Sequence, residues 1–252
     1  MSPPNPLSRR AAAGVAAGTL VTGVAAGHAT ASDATAGDAG PVDQTAGTVP
    51  YRRLSADTAA ALFVDHQTGL MSLVRDYETS EFRNAVLAYA DLAKFFGIPA
   101  ILTTSFEDGP NGPIMPEIRE MHPEAPFIAR PGQISAWDNE EFVKAIEATG
   151  REQLIIAGIV TEVCVAFPAL AAREAGYEVF VCTDASGTFN EPARQSAWMR
   201  MQQAGCQLLD WFAVASELQR DWRRDVKGFG DLLVRRTPAY AAVMASYKET
   251  QE

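Results

Sequence analysis

Strand-length apolar runs alternate with segments of helical periodicity from about residue 51 to the end of the chain. The runs over 60–64, 100–103 and 154–158 are apolar at nearly every position, which is typical of strands buried on both faces. Such strands alternating with helices predict a parallel sheet in a three-layer α/β/α sandwich. Ligands of these sheets bind beyond the carboxyl ends of the strands, so the residues that follow each run are the candidates for a functional site.

The segments between the runs carry helix signals. Residues 80–96 place apolar side chains at helical spacing, and Gly97 and Pro99 end the segment. Asp138 is the predicted N-cap of the next helix. The pattern predicts helices over 139–148, 164–175, 192–204 and 215–224. It predicts further strands over 126–130 and 178–183.

The first residues of the chain have the composition of a targeting segment. Arg9 and Arg10 precede an Ala/Gly-rich run, and Ala29-Thr30-Ala31 has the small residues of a cleavage site. This layout predicts an export signal of the twin-arginine type over residues 1–31, and hence a periplasmic or extracellular protein. A disordered extension on a cytoplasmic protein would have a similar composition and stays open as the alternative.

Residues 32–50 contain few large apolar side chains and are predicted to form a flexible linker. The remainder, residues 51–252, has the length and composition of one domain. The formal net charge of −10 disfavours nucleic acid and anionic membrane surfaces as partners. No apolar run beyond the amino-terminal segment is long enough to span a bilayer, so we expect no membrane association of the mature form.

Three chemically useful residues follow predicted strands: Asp65, Arg130 and Cys164. A thiolate can attack a carbonyl carbon, and a nearby carboxylate can take the thiol proton and return it to the leaving group. A fixed cation would hold the carboxylate in place. Cys164 also lies where a helix is predicted to begin, and the helix dipole there is expected to lower the thiol pKa.

Each of the three residues also has an ordinary structural interpretation. Free cysteines are usually small buried hydrophobes. Asp65 could cap a strand end, and Arg130 could form a surface ion pair worth about 0–1 kcal/mol. Sequence spacing does not fix the mutual geometry of the three side chains, so both interpretations stay open.

Longer motifs surround these residues. The nucleophile segment contains Gly-x-x-Thr-x-x-Cys-Val over residues 158–165. The other motifs are Val64-Asp65-His66-Gln67, Ser105-Phe106-Glu107, Gly109-Pro110-Asn111-Gly112-Pro113, Trp137-Asp138-Asn139 and Thr183-Asp184-Ala185-Ser186-Gly187-Thr188-Phe189-Asn190. Together they resemble the isochorismatase-like cysteine hydrolases, and they look closest to the YcaC-like branch. The resemblance extends from about residue 51 to the C-terminus.

The resemblance implies a sheet of about six parallel strands and a catalytic triad of Asp, Lys and Cys. It also implies a cis peptide bond between Val160 and Thr161, with backbone N–H groups near Thr161 and at Cys164 turned toward a substrate oxyanion. This chain departs from the pattern at Arg130, where the family usually has lysine. Arginine cannot shuttle protons, but Arg130 could still hold Asp65 and depress the Cys164 pKa.

Nicotinamidases of that family bind a metal through an aspartate and histidines that follow the second strand. The corresponding region here, 103–109, contains no histidine, so we expect no catalytic metal. No nucleotide-binding motif is present either, and we expect no cofactor. Glu107 and Asp108 are expected to be solvated. His66 adjoins Asp65 but is expected to point elsewhere and to be structural.

Four loop side chains are candidates for lining a substrate pocket: Phe106, Asn111, Trp137 and Phe189. The aromatic members of this set could equally belong to the core. Cys182 and Cys206 lie in apolar segments and are expected to pack as small hydrophobes, although a disulfide between them stays open.

These features predict a metal-free cysteine hydrolase that acts on a small amide or related carbonyl compound. Isochorismate cleavage is disfavoured, because family members that perform it lack the nucleophilic cysteine. The alternative is an inactive oligomeric binding or scaffold protein that keeps the fold. A redox thiol protein is disfavoured by the absence of Cys-x-x-Cys. Residues 228–252 are expected to mediate homo-oligomerisation, or else to fold back on their own domain.

Overall fold

Six parallel strands form the central sheet in the computed structural model, which describes residues 52–250. In chain order the strands are β1 Ala59–Val64, β2 Ala100–Ser105, β3 Phe127–Arg130, β4 Gln153–Gly158, β5 Glu178–Cys182 and β6 Gln207–Leu209. Their spatial order is β3-β2-β1-β4-β5-β6. The chain therefore builds the sheet outward in one direction from β1 to β3 and in the other from β4 to β6. The crevice at this switch point lies between the ends of β1 and β4.

Helices cover both faces of the sheet, which confirms the predicted three-layer sandwich. In chain order they are α1 Thr79–Phe95, α2 Pro116–Met121, α3 Glu140–Glu147, α4 Ala166–Glu174, α5 Glu191–Gln203, α6 Trp211–Gln219, α7 Val226–Arg236 and α8 Tyr240–Glu249. Alternate residues of β1 enter the two halves of the core: Phe63 packs with α1, α6 and α7, and Leu62 packs with α3, α4 and α5. The continuous apolar run in the sequence follows from this burial on both sides.

Capping side chains account for two helix starts that differ from the prediction. Asn139, not Asp138, caps α3, because its side chain accepts a hydrogen bond from Phe142 N at 3.0 Å. The helix predicted over 215–224 is instead α6, which begins at Trp211 because Asp210 accepts from Ala213 N at 2.7 Å. Both caps satisfy backbone N–H groups that the first helical turn leaves without partners.

The C-terminal helices differ in how far they are buried. α7 folds back on its own domain, where Phe229, Leu232 and Leu233 belong to the same core as α1. α8 has no buried residue, and its Val243 and Tyr247 are exposed. α7 therefore follows the alternative in which the C-terminal segment folds back on its own domain. An oligomer contact stays a prediction for α8.

The predicted signal over 1–31 and the predicted linker over 32–50 lie outside the described residues, so both stay predictions. Within residues 52–250, no helix combines the length and apolar character needed to cross a membrane.

Candidate active site

Asp65 and Arg130 form a buried ion pair at the carboxyl edge of the sheet. Asp65 directly follows β1, and Arg130 is the last residue of β3. Arg130 Nη2 donates to Asp65 Oδ1, and neither side chain has any solvent exposure. β2 lies between the two strands, so the guanidinium spans the end of β2 to reach the carboxylate. The structure thus excludes a surface ion pair for Arg130.

The remaining donors of Arg130 are fixed by its surroundings. Nε donates to Thr103 Oγ1 at 3.0 Å, and Nη1 donates to the carbonyl oxygens of Gln133 and Ile134. Thr103 in turn donates its hydroxyl to Ile128 O at 2.8 Å, which leaves its oxygen free to accept from Arg130. A lysine ammonium could not make this planar set of bonds. The surrounding acceptor groups therefore match the geometry of the Arg130 guanidinium.

Cys164 lies in one turn of π-helix, Thr161–Val165, between β4 and α4. The α-helix begins at Ala166, two residues later than the sequence predicted. The Cys164 side chain is partly buried against the core half that contains α3, α4 and α5. A π-turn of this kind is uncommon and is frequently found at functional sites.

A close approach of β4 to β1 brings Cys164 beside Asp65. Gly158 pairs with Val64 in the sheet, and a Cβ at Gly158 would lie 2.1 Å from Val64 O. Only glycine fits there. The next residue, Ile159, donates its N–H to Val64 O at 3.1 Å. The loop over residues 159–165, here called the nucleophile loop, therefore leaves β4 beside the carboxyl end of β1, where Asp65 lies.

The cis peptide bond of this loop joins Ile159 and Val160. The expectation placed it one residue later, between Val160 and Thr161, and was wrong by that one position. The Val160 backbone forms a hydrogen bond with the Cys164 thiol that lowers its pKa. Thr161 N donates to Gly187 O at 3.1 Å, so this N–H group already has a partner and does not face a substrate oxyanion as expected.

The pKa of Cys164 is raised well above its ordinary value, contrary to the expectation of a lowered one. Burial is the main cause, and the charge of Asp65 and its hydrogen bond with the thiol act in the same direction. The Val160 backbone and the Arg130 charge oppose the shift without cancelling it. Cys164 is therefore a neutral thiol at rest and must lose its proton to react.

The pKa of Asp65 is also raised, chiefly by burial, while the charge and hydrogen bond of Arg130 and a hydrogen bond with Cys164 act to lower it. Asp65 Oδ1 is occupied by Arg130. Asp65 Oδ2 is buried and has no hydrogen-bond partner among the described residues. One carboxylate oxygen is thus held by the cation, and the other is available for the thiol proton.

Gly187 and Thr188, which follow β5, hold the nucleophile loop in place through hydrogen bonds. Besides the bond to Thr161, Gly187 N donates to Gly158 O at 3.3 Å. Thr188 is fully buried, donates its hydroxyl to Glu162 Oε2 at 2.5 Å, and donates its N–H to Asp76 Oδ1 at 2.8 Å. The sequence contains these residues within a recognised motif, but nothing in their spacing indicates that Thr188 and Glu162 pair.

Two of the four pocket candidates lie at this edge with exposed side chains. Phe106 follows β2 and is 50% exposed, and Phe189 follows Thr188 and is 45% exposed. The Asn111 side chain instead stabilises the loop that follows β2, because it donates to Ser105 O at 2.8 Å. Trp137 lies 6.0 Å from the Tyr177 ring, which precedes β5, and lines a cleft with residues that precede β4 and β5. Trp137 is therefore not brought to the Cys164 edge.

The histidine next to Asp65 has a structural place. His66 is fully buried and its Nε2 pairs with Ala185 O at 2.9 Å, which ties the end of β1 to the segment after β5. Burial lowers the His66 pKa to about 4, so the ring is neutral near pH 7. Within residues 52–250, no group of three or more His, Cys, Asp or Glu residues is arranged to hold a metal ion.

The other two cysteines lie apart from the site and from each other. Cys182 packs in the core half with α1, and Cys206 packs in the half with α5. Both are free thiols, as is Cys164. Burial raises the pKa of Cys182 well above its usual value and that of Cys206 to about 11, so both are inert packing residues.

The fold and the site define an α/β sandwich protein with a cysteine at the switch point and a buried Asp–Arg pair beside it. The model of the isochorismatase domain matches residues 59–212, and the chain belongs to the isochorismatase family. The probable hydrolase YcaC of Escherichia coli strain K12 is 62% identical over 200 residues, which cover 79% of this chain and 96% of the relative.

Solved structures agree with this assignment. The YcaC gene product of Escherichia coli, described as an octameric hydrolase of unknown specificity, has a TM-score of 0.79 and 62% identity, covering 81% of this chain and 100% of that one. YcaC from Pseudomonas aeruginosa, solved with hexane-2,5-diol and covalent acrylamide, has a TM-score of 0.78 and 63% identity. That likeness covers 79% of this chain and 98% of that one.

Proposed function

We propose that this protein is a metal-independent cysteine hydrolase that cleaves a small amide or related carbonyl compound through a covalent Cys164 intermediate. The observation that carries the proposal is the arrangement of Asp65. One of its oxygens is held by Arg130, and the Cys164 thiol is the hydrogen-bonding neighbour of the carboxylate. A buried base, fixed by a cation and directed at a thiol, is the arrangement that nucleophilic catalysis requires.

In the first half of the reaction, Asp65 takes the thiol proton as Cys164 Sγ attacks the carbonyl carbon. The C–S bond forms, and the carbonyl π electrons move to the oxygen. When the tetrahedral intermediate collapses, the C–N bond breaks and Asp65 gives its proton to the departing amine. A thioester on Cys164 remains. We assign stabilisation of the oxyanion to the Val160 backbone, which already forms a hydrogen bond with the Cys164 thiol.

In the second half, Asp65 takes a proton from water as the water oxygen attacks the thioester carbonyl. The C–S bond breaks, the sulfur recovers the proton from Asp65, and a carboxylic acid leaves. The overall change is one amide and one water converted to one acid and one amine. Arg130 moves no proton: it stays charged and holds Asp65 in place through both halves.

The raised pKa values of Asp65 and Cys164 fit this scheme. A carboxylate with a raised pKa is a stronger base than a solvated one, so Asp65 is suited to accept the thiol proton and to return it to the leaving group. The covalent acrylamide described for Pseudomonas aeruginosa YcaC shows that this relative carries a nucleophile, since acrylamide is an electrophile, and this supports the proposal.

The test is a set of small amides assayed for ammonia or amine release by the wild type and by Cys164→Ala. We expect turnover by the wild type alone and a mass increase equal to the acyl group on the Cys164 peptide after acid quenching. No turnover and no adduct across the set would favour the inactive scaffold alternative.

We also propose that the protein is a homo-oligomer, as Escherichia coli YcaC is described to be. The exposed Val243 and Tyr247 of α8 support a subunit contact there. Light scattering of the wild type and of Tyr247→Glu tests this proposal. A monomeric wild type would contradict it.

A further inference from the structure

We propose that the site selects neutral substrates with an apolar group, and that Phe106, Ile134 and Phe189 form the surface that binds this group. We call these three residues the apolar rim. The inference names a substrate class for the hydrolase activity proposed above and so rests on that proposal.

The apolar rim lies at the edge of the sheet that carries Cys164. Phe106 N donates to Arg130 O at 3.0 Å. The carbonyl oxygen of Ile134 lies 3.4 Å from Arg130 Nη1. Phe189 follows Thr188, which is bonded to the nucleophile loop through Glu162. The exposed fractions are 50% for Phe106, 61% for Ile134 and 45% for Phe189.

The Phe106 ring packs against its own loop. Its backbone takes φ 53, and its ring lies directly over Gly109, where a Cβ would come within 2.3 Å of two ring atoms. Any larger residue at position 109 would displace the ring. An exposed aromatic ring fixed by its own loop loses little conformational entropy when it binds an apolar group.

The charges around Cys164 disfavour an anionic substrate. Arg130 has no solvent exposure and its donors bond to Asp65, Thr103 and two carbonyl groups, so it cannot pair with a substrate carboxylate. At the Cys164 sulfur the charge of Asp65 outweighs that of Arg130. A substrate carboxylate would therefore gain no ion pair with Arg130 and would lie beside the Asp65 carboxylate.

Two acidic side chains, Glu107 and Glu162, lie near the apolar rim, and the nearby Arg194 is already paired with Asp76 and Glu191. Glu162 accepts from Thr188, and Glu107 accepts from Ile114 N at 3.3 Å. Arg75 is exposed and its backbone N–H donates to Thr188 O at 2.8 Å, so its side chain is the cation to test on the Phe189 side.

Alkylation of Cys164 tests selection without requiring turnover. The probes are iodoacetate, iodoacetamide and N-ethyl, N-butyl and N-hexyl iodoacetamides, with each rate divided by the rate of free glutathione. The wild type should prefer iodoacetamide to iodoacetate by at least about tenfold. Each added methylene should raise the rate by about 2- to 4-fold until the apolar rim is covered, as expected for burial of CH₂ groups.

Phe106→Ala and Ile134→Ala should flatten the dependence on chain length, whereas Met199→Ala, an exposed apolar residue on α5, should not. A flat dependence in the wild type would overturn the inference. So would a preference for iodoacetate that disappears in Arg75→Gln. A change of oligomer mass in Phe106→Ala, with unchanged selectivity, would assign the rim to a subunit contact and would also overturn it.

The two proposals fail separately in this design. Chain-length selection in alkylation together with no amide turnover would leave the apolar rim standing and overturn the hydrolase function. Amide turnover without any selection among the probes would do the reverse.

Discussion

Arg130 reaches over the end of β2 to bond Asp65, and both side chains are completely removed from solvent. A buried ion pair adds little net stability, because desolvation offsets most of the attraction. Its value here is chemical: it fixes a carboxylate next to a thiol whose pKa that carboxylate raises. Substituting each partner of the ion pair in turn separates these roles.

Asp65→Asn should lower the Cys164 pKa and slow amide turnover. The substitution removes the charge and the acceptor that raise the thiol pKa, and it leaves the positive charge of Arg130 in place. Iodoacetamide labelling of Cys164 should therefore begin at lower pH, and amide turnover should fall by about 10²- to 10⁴-fold for want of a general base. A labelling midpoint that stays constant or rises would contradict the assigned role of Asp65.

Arg130→Met should destabilise the fold by about 3–5 kcal/mol, because Asp65 would be left buried and unpaired. It should also move the Cys164 pKa further upward, since the Arg130 charge lowers it. The measurements are urea unfolding and the pH dependence of labelling. The double variant Asp65→Asn/Arg130→Met is the control, and it should recover part of the lost stability. Equal loss in the single and double variants would argue against the pair as the cause.

Thr188→Val should loosen the nucleophile loop, because it removes the donor to Glu162. We expect a loss of about 1–3 kcal/mol in unfolding free energy and slower turnover. Thr104→Val is a matched control, since the Thr104 hydroxyl is buried but has no hydrogen-bond partner among the described residues. If both variants behave alike, the Thr188–Glu162 bond has no special role.

His66→Gln should make stability less sensitive to acid. Burial lowers the folded-state pKa of His66 to about 4 from 6.5, so folding is favoured above pH 6.5 and this contribution is lost as pH falls toward 4. The wild type should therefore lose about 3 kcal/mol more than the variant between these pH values. Urea unfolding at pH 7.5 and pH 4 measures the difference. Parallel losses in the two proteins would show that His66 is not the group responsible.

Replacing Arg9 and Arg10 by lysine should block export if residues 1–31 are a twin-arginine signal. The full-length precursor should then accumulate inside the cell, whereas the unaltered chain should appear outside the cytoplasm without these residues. Fractionation followed by intact mass measurement decides the matter. Cytoplasmic retention of the unaltered chain at full mass would contradict the signal.

The sequence by itself determined the sandwich architecture and the three residues at strand ends. Apolar runs without alternation require burial on both faces, and parallel strands bring their carboxyl ends to one edge. The sequence therefore predicts that Asp65, Arg130 and Cys164 are neighbours. The motif around Cys164, together with the motifs at the other strand ends, then predicted the family.

Tertiary structure alone decided the electrostatics and the supporting contacts. The Cys164 pKa moves opposite to the helix-dipole expectation, because burial and Asp65 outweigh a local dipole that sequence position suggests. The pairing of Thr188 with Glu162 and the placement of Trp137 away from the site depend on contacts between segments distant along the chain. Periodicity reports which face of an element is buried, but the pKa of a group depends on the charges and solvent around it in three dimensions.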